Sequence, residues 1–203
     1  LKLLNKLGIK KKLISLHDYN EIKIINKIIE KIKNKIFVLI SDAGSPLISD
    51  PGYKLVQYCI SQNVPVTTVP GPSSLIPALQ LAGLPINEFY FAGFLPKNKK
   101  GIIEFILKIK EVKKTSVFFV SNHKIEICLN ILEDIFGNIE ISVSKELTKI
   151  NEKVWRGDVK EVRKQIINNK DNLKGEFIIV VGESAETEKF SPFTKNLDVE
   201  IKK

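Results

Sequence analysis

Hydrophobic positions along the chain recur with two different periods, and together they predict an α/β protein. Apolar residues spaced by three and four predict amphipathic helices at residues 1–7, 25–32, 55–60, 75–82, 102–112, 122–136 and 158–167. Short runs rich in Val, Ile and Phe predict strands at residues 13–16, 36–40, 64–69, 89–96, 115–120, 139–143, 153–157 and 177–181. The second half of the chain thus carries more strand per helix than the first.

The stretch of residues 36–53 organises the predicted fold. It begins with five consecutive apolar residues, which predict a strand buried on both faces. Small residues then follow abruptly, among which Gly44 permits a positive φ and Pro46 stiffens the chain. Asp50 and Pro51 predict the N-cap and the first residue of the next helix. The intervening loop is therefore expected at the carboxyl end of a strand, where open α/β sheets bind ligands.

Two loops of small residues are candidates for one ligand site. The first loop, residues 41–50, and the second loop, residues 70–74, each follow a predicted strand and could form two sides of one crevice. A carboxylate such as Asp42 commonly accepts a hydrogen bond from a ribose diol, which favours a nucleoside-like ligand; the alternative is a structural turn. Because no Gly-x-Gly-x-x-Gly or Gly-Lys-Ser/Thr motif occurs, a standard dinucleotide or triphosphate grip is not expected.

A basic stretch rich in helix breakers, residues 97–101, marks a predicted domain boundary near residue 95. We expect an N-terminal α/β domain that is truncated at its start, a C-terminal α/β domain and a polar tail. Their predicted bounds are residues 1–94, 95–182 and 183–203.

Composition narrows the class of protein. With 203 residues, 43% of them hydrophobic, the chain can bury a core. No apolar run is long enough for a membrane span or a signal segment, so we expect a soluble protein. A net charge of +9 favours a polyanionic partner such as RNA, although lysines spread over solvated faces would give the same total.

The cysteines and histidines indicate neither a disulfide nor a metal site. Cys59 and Cys128 fall within apolar helical patterns, which predicts reduced core residues and a cytoplasmic protein. His17 and His123 are the only histidines, and neither belongs to a cluster with metal-ligand spacing. His123 follows a predicted strand, where it is either a cap or packing group or a base.

Short motifs occur in order along most of the chain. They read Ser41-Asp42-Ala43-Gly44-Ser45-Pro46-Leu47-Ile48-Ser49-Asp50-Pro51-Gly52-Tyr53, Val69-Pro70-Gly71-Pro72-Ser73-Ser74, Ala82-Gly83-Leu84-Pro85, Phe91-Ala92-Gly93-Phe94-Leu95-Pro96, Lys145-Glu146-Leu147-Thr148-Lys149, Val154-Trp155-Arg156-Gly157 and Lys174-Gly175-Glu176-Phe177. This series resembles the ribosomal RNA small subunit methyltransferase I family, a branch of the tetrapyrrole methylase superfamily that 2′-O-methylates a cytidine of 16S ribosomal RNA. The resemblance covers residues 1–182.

The resemblance implies S-adenosyl-L-methionine held in a cleft between two α/β domains, and a homodimer. By position, residues 94–100 would be the interdomain linker. The cofactor-binding residues that it implies are Ser41, Asp42, Ala43, Gly44, Ser45, Pro46, Pro70, Gly71, Pro72, Ser73 and Ser74. The alternatives are a tetrapyrrole or other small-molecule methyltransferase on the same scaffold, and an inactive, truncated RNA-binding relative.

Two departures from the family pattern matter. The family begins with a strand, a Pro-Ile-Gly-Asn-like loop and an acidic Glu-Asp-Thr-Arg stretch that have no counterpart from Leu1 onward, so we expect a sheet that lacks a strand. Where relatives read Glu-Ser-Pro-His-Arg, the chain has Val120-Ser121-Asn122-His123-Lys124, without the carboxylate and the proline.

The sequence leaves the proton acceptor of a methyl transfer open. The candidates on motif loops are Asp42, His123, Glu146 and Lys149. The cations expected to hold RNA phosphates, an attraction that weakens with salt, are Lys97, Lys99, Lys100, Lys124, Lys149 and Arg156. Trp155 beside Arg156 could stack on RNA bases, with a core or interface tryptophan as the alternative.

Overall fold

The protein is described by a computed structural model that covers residues 2–183 of the 203. The α-helices of this range are α1 (Lys2–Lys6), α2 (Glu21–Ile32), α3 (Tyr53–Ser61), α4 (Leu75–Ala82), α5 (Lys99–Val112), α6 (Ile125–Phe136) and α7 (Val159–Ile167). Its strands are β1 (Phe89–Phe94), β2 (Thr115–Ser121), β3 (Glu140–Lys145), β4 (Lys153–Asp158) and β5 (Glu176–Val181). The predicted polar tail lies outside the described residues except for its first residue.

The strands form one mixed sheet in the order β1-β2-β5-β3-β4. β1 and β2 are parallel, and the other neighbours are antiparallel. Because β5 runs opposite to both β2 and β3, the carboxyl ends of β1, β2 and β3 lie at the same edge as the amino ends of β4 and β5. We call this the strand-end edge. It carries Phe94, Ser121 and Lys145 at the ends of β1, β2 and β3, and Glu176 at the start of β5.

Helices α5, α6 and α7 cover one face of the sheet. Residues with helical spacing on these helices pack against every second residue of the strands, as amphipathic periodicity requires. Fully buried members of this core include Ile106, Leu129, Val162, Phe118, Val143 and Ile179. Burying each of these side chains contributes about 1.5 to 3 kcal/mol to stability, so this core anchors the sheet.

Helix α4 covers the opposite face. The residues that pack there include Ala78, Leu79, Ala82, Val117 and Val180. Gly83, with a φ of 71°, ends the helix as predicted. In the last turn the carbonyl of Leu81 accepts a hydrogen bond from Nε of Arg156 on β4. A cation is favourable at this place because the last carbonyls of a helix lack intrahelical partners.

Helices α2 and α3 pack against each other in the N-terminal part of the chain. Ile28 and Ile32 contact Cys59 across this interface. Glu21, only 4% exposed, accepts a hydrogen bond of 2.9 Å from the backbone N–H of Leu55 in the first turn of α3. Because first-turn N–H groups have no partner within their own helix, Glu21 caps a neighbouring helix.

The predictions of strands at residues 13–16, 36–40 and 64–69 were wrong. These segments have irregular backbone and pair with no strand of the described chain. Ile36 is 96% exposed and Val38 79% exposed, so the run is not buried either. Five apolar residues favour an extended backbone, but a strand also needs a neighbour to pair its N–H and C=O groups.

The start of α3 was also predicted wrongly. The expected N-cap, Asp50, lies outside the helix, and Gly52 with a φ of 130° occupies the N-cap position before Tyr53. The Asp50 carboxylate instead accepts a hydrogen bond from the hydroxyl of Ser41. A contact across the loop has therefore replaced the local cap that the sequence suggested.

The α/β class is confirmed, and from residue 75 onward each predicted element forms with bounds that differ by at most three residues. Cys59 and Cys128 are buried free thiols, as predicted, and burial raises the pKa of the Cys128 thiol. The division into two domains near residue 95 stays a prediction. β1, on the N-terminal side of that boundary, belongs to the same sheet as β2.

Candidate functional site

The first loop is held closed by its own polar groups. The hydroxyl of Ser41 donates to the carboxylate of Asp50 and accepts a hydrogen bond from the N–H of Ala43 at 3.4 Å. The two ends of the loop are thereby tied together. The Asp42 side chain remains exposed beside this closure.

Backbone dihedral angles show how tightly the first loop is coiled. Gly44, Leu47 and Ser49 have positive φ values of 74°, 69° and 60°. For a residue with a side chain this conformation costs about 1 to 2 kcal/mol. At Gly44 a Cβ would meet no atom within 4 Å, so the main chain is bare and borders open space.

The two predicted cofactor loops meet. The hydroxyl of Ser45 in the first loop donates a long hydrogen bond of 3.5 Å to the carbonyl of Pro72 in the second. Gly71, like Gly44, has no atom within 4 Å of its Cβ position. Two bare backbone positions on two touching loops therefore border open space.

The first loop also reaches the sheet. Gly93 has a φ of 78° and lies at a shift in the pairing register between β1 and β2. A Cβ at Gly93 would lie 3.6 Å from Oγ of Ser49, which is an ordinary van der Waals contact, so the first loop packs directly beside β1. The first loop is thus next to the strand-end edge.

His123 follows β2 at this edge in a defined orientation. Its Nδ1 lies 3.1 Å from Oδ1 of Asn122, and its Nε2 lies 3.3 Å from Oγ of Ser121. The same Asn122 oxygen accepts from the backbone N–H of His123, and an amide oxygen can only accept. The tautomer that fits both contacts carries its proton on Nδ1, and its Nε2 then accepts a hydrogen bond from the Ser121 hydroxyl.

Glu146, Lys149 and Glu176 form an ion cluster at the same edge. Lys149 Nζ lies 3.0 Å from Glu146 Oε1 and 2.9 Å from Glu176 Oε2, and the backbone N–H of Glu176 donates to Glu146 Oε1 at 2.8 Å. This N–H, followed by the Lys149 ammonium, holds the pKa of the Glu146 carboxyl below its ordinary value. Both carboxylates raise the pKa of Lys149. Neither predicted base in this cluster is therefore well suited to take up a proton.

A Glu146→Gln variant is expected to lose about 1 to 2 kcal/mol of stability at pH 7, because its neutral amide oxygen accepts more weakly than a carboxylate, whose hydrogen bonds contribute about 1.5 to 3 kcal/mol. Because the folded pKa of Glu146 is lowered, its contribution is present above the ordinary value of 4.5 and is lost as pH falls through the folded value. Urea unfolding between pH 7 and pH 4 should show the difference from wild type shrinking. Glu111→Gln, on the exposed end of α5, is the control, and a difference independent of pH would contradict the assignment.

The predicted RNA-binding cations divide into two groups. Lys97, Lys99 and Lys124 line one open pocket at the strand-end edge, while Lys100 pairs with Glu104 at 3.9 Å on the exposed face of α5. Lys149 belongs to the ion cluster described above, and Arg156 holds the end of α4. Trp155 packs against the core formed by the sheet and helices α5, α6 and α7. This agrees with the alternative of a core tryptophan given in the sequence analysis.

Residues 2–183 contain no group of three His, Cys, Asp or Glu side chains arranged to hold a metal ion. None of the helices in that range is long and apolar enough to span a membrane.

Sequence reasoning missed three residues that shape this region. Ser121 contacts His123, Glu176 completes the ion cluster, and Gly93 lies where the first loop contacts β1. Glu176 and Gly93 lie within motifs quoted above, so the motifs were the available signal. Their contacts join residues far apart in sequence, which periodicity does not reveal.

Comparisons with known proteins agree with this architecture. A family model described as Tetrapyrrole (Corrin/Porphyrin) Methylases matches residues 6–163. The ribosomal RNA small subunit methyltransferase I of Xylella fastidiosa (strain Temecula1) is 41% identical over 186 residues, which are 91% of this chain and 68% of the relative. A crystal structure of diphthine synthase matches with a TM-score of 0.63 at 14% identity, covering 89% of this chain and 72% of that one. A uroporphyrin-III C-methyltransferase from Thermus thermophilus, solved with S-adenyl homocysteine, matches with a TM-score of 0.50 at 18% identity over 81% of this chain and 74% of that one.

The fold and the matched family model define a methyltransferase of the tetrapyrrole methylase class. S-adenosyl-L-methionine, the cofactor expected from the sequence, is the methyl donor of this methyltransferase family. Within the class, the chain belongs to the ribosomal RNA small subunit methyltransferase I family, as its motifs indicated. The chain spans about two thirds of the length of the curated relatives it matches.

Proposed function

We propose that this protein transfers a methyl group from S-adenosyl-L-methionine to the ribose 2′-oxygen of a cytidine in 16S ribosomal RNA, which by the family resemblance is cytidine 1402. The proposal includes action in the cytoplasm as a homodimer. The observation that carries it is the contact between the two small-residue loops beside the strand-end edge. The names of the relatives support ribosomal RNA as the substrate.

The residues of the loops fit the proposed methyl donor. Gly44 and Gly71 leave bare main chain beside open space, which a side chain at either position would enter. The exposed carboxylate of Asp42 suits a ribose diol. The donor supplies an electrophilic methyl group on a positively charged sulfur. The two loops would hold it through main-chain contacts, with Ser45 and Pro72 fixing their relative position.

The chain's own contribution to the reaction is positioning and proton removal. Aligned reactants and a positioned base account for much of the acceleration in such transfers. We propose that Nε2 of His123 accepts the proton of the ribose hydroxyl, because Asn122 engages Nδ1–H and the ribose hydroxyl would take the place of the exposed Ser121 hydroxyl, whose contact with Nε2 is long at 3.3 Å. Glu146 and Lys149 would instead shape the edge, since the lowered pKa of Glu146 opposes proton uptake and the raised pKa of Lys149 keeps its ammonium protonated.

The proposal is tested by supplying S-adenosyl-L-methionine with a tritiated methyl group together with small ribosomal subunits or a uroporphyrinogen. We expect label in the RNA, at a linkage that resists alkaline cleavage because its 2′-oxygen is methylated. Label in the tetrapyrrole alone would favour the small-molecule enzyme. RNA retention without donor binding would favour the inactive relative.

A Gly44→Leu variant is expected to bind S-adenosyl-L-methionine at least about tenfold more weakly, measured by titration calorimetry. The side chain strains a backbone with a φ of 74° and enters the open space beside it; 1.4 kcal/mol corresponds to tenfold. Gly137→Leu is a matched control, since Gly137 has a φ of 71° and equally open surroundings. Unchanged affinity in the Gly44 variant would show that the first loop does not hold the donor.

A further inference from the structure

An open pocket of about 540 Å³ lies at the strand-end edge, between the start of α5 and the segment that follows β2. Its polar lining residues are Lys97, Lys99, Ser121, His123 and Lys124, and the remaining lining is aliphatic. The lining contains no carboxylate, so nothing in the pocket wall neutralises its three lysines.

The lysines of the pocket are available for an anion. Among the ion pairs of residues 2–183, none involves Lys97, Lys99 or Lys124. The Lys124 ammonium makes only a long hydrogen bond of 3.5 Å, to the carbonyl of Leu95, which keeps it close to the linker. Three uncompensated ammonium groups around one cavity create a strongly positive potential.

Helix ends reinforce this charge. The pocket wall also includes Ser121 and His123, which are hydrogen-bonded to each other. The amino ends of α5 and α6, helices of 14 and 12 residues, also lie at the pocket and add partial positive charge. An anion with several acceptor oxygens matches this set, and phosphate has that chemistry.

The pocket lies at the same edge of the sheet as the proposed methyl-donor loops, and His123, the proposed base, is part of its wall. A phosphate in this pocket would therefore lie near the ribose whose proton His123 accepts. The open side of the pocket suits a group that continues into a polymer.

We propose that this pocket binds one phosphodiester group of the RNA strand next to the acceptor ribose. The inference rests on the proposed function. Of the six cations that the sequence predicted to hold RNA phosphates, it assigns the contact with this phosphate to Lys97, Lys99 and Lys124. Lys149 and Arg156 are left out because each already has partners within the protein. Lys100 is left out because it does not line the pocket.

The salt dependence of RNA binding tests whether one phosphate is held. Each phosphate neutralised on a single strand contributes about 0.7 to the slope of log K against log salt. The triple variant Lys97→Gln, Lys99→Gln, Lys124→Gln should lower the magnitude of the slope by about 0.7. The ratio of wild-type to variant affinity should therefore be about fivefold larger at 0.1 M salt than at 1 M salt. Fluorescence anisotropy of a labelled single-stranded RNA measures both. An unchanged slope, or a fall of about 2 that indicates three separate phosphate contacts, would overturn the proposal.

A matched triple variant separates the pocket from bulk charge. Lys23, Lys27 and Lys31 lie on one exposed side of α2, and their replacement by Gln changes the net charge by the same amount. The slope should stay at its wild-type value in this variant. An equal fall in both triple variants would mean that overall charge, and no particular pocket, holds the RNA.

The two histidines provide a second, local readout. On titration with inorganic phosphate, the imidazole NMR signals of His123 should shift, while those of His17 should not, and the triple lysine variant should abolish the shift. Equal shifts at both histidines, or none at His123, would overturn the pocket. If RNA binding depends on the pocket but no methyl group is transferred, the proposed function fails and the pocket proposal stands. If the protein methylates RNA and the triple lysine variant does so equally well, the proposed function stands and the pocket proposal fails.

Discussion

A His123→Gln variant is expected to methylate RNA at least about 100-fold more slowly than the wild-type protein, the lower end of the usual contribution of a positioned base. Glutamine keeps a polar side chain at this position but offers no basic nitrogen. In the wild-type protein Asn122 accepts a hydrogen bond from Nδ1–H, which leaves Nε2, beside Ser121, as the basic nitrogen. Single-turnover methyl transfer at saturating donor measures the effect.

His17→Gln is the matched control for this variant. His17 lies in the N-terminal connection, where its backbone N–H donates to Asn20, far along the chain from the strand-end edge. Methyl transfer by this control should equal that of the wild type. Donor affinity should be unchanged in both variants, because neither histidine lies in the two loops. A His123→Gln rate within a few-fold of wild type would return the role of base to Asp42.

A Gly175→Ala variant is expected to lose about 3 kcal/mol of the free energy of unfolding, the largest stability effect of the changes considered. Gly175 has a φ of 101°, and a Cβ there would lie 2.7 Å from Cγ of Glu146. The backbone strain costs about 1 to 3 kcal/mol. Glu146 must also turn away, which breaks its hydrogen bonds with Glu176 and Lys149 at a further cost of about 1 to 3 kcal/mol.

A double-mutant cycle separates the two parts of this effect. In a Glu146→Ala background the alanine at position 175 meets no carboxylate, so only the backbone strain should remain. Gly137→Ala, at a φ of 71° with no atom within 4 Å, estimates the strain alone. Urea unfolding of the four proteins gives the coupling energy. If Gly175→Ala lowers the free energy of unfolding no more than Gly137→Ala does, Glu146 moves aside without loss of stability, which would contradict the prediction.

The C-terminal half was the most predictable part of the fold. Apolar residues there keep helical spacing in α5, α6 and α7 and form short runs in β2, β3 and β5. These elements bury the same residues that the patterns marked, such as Cys128, because they pack against one another. Local pattern and tertiary environment agree, so short-range reasoning succeeds.

The first loop was predictable as a loop but not in its contacts. Its glycine and proline marked a rigid turn, and Gly44 does take a positive φ. The sequence assigned Asp50 to a helix cap, while the structure joins it to Ser41. A helix N-cap and a hydrogen bond from Ser41 are both favourable interactions for the Asp50 carboxylate. The backbone conformation of the loop decides which of them forms.

By itself the sequence determined the helices, the strands of the C-terminal half, the order of the motifs and the family. Only the tertiary structure decided that residues 36–40 form no strand, that the two predicted cofactor loops touch, and which lysines of residues 2–183 have no ion-pair partner there. The physical reason is that hydrophobic periodicity shows only which side chains of a single segment face the core and which face solvent. Strand pairing and the neutralisation of a charge depend on groups such as Glu176, far away in sequence, which only the folded chain brings within bonding distance.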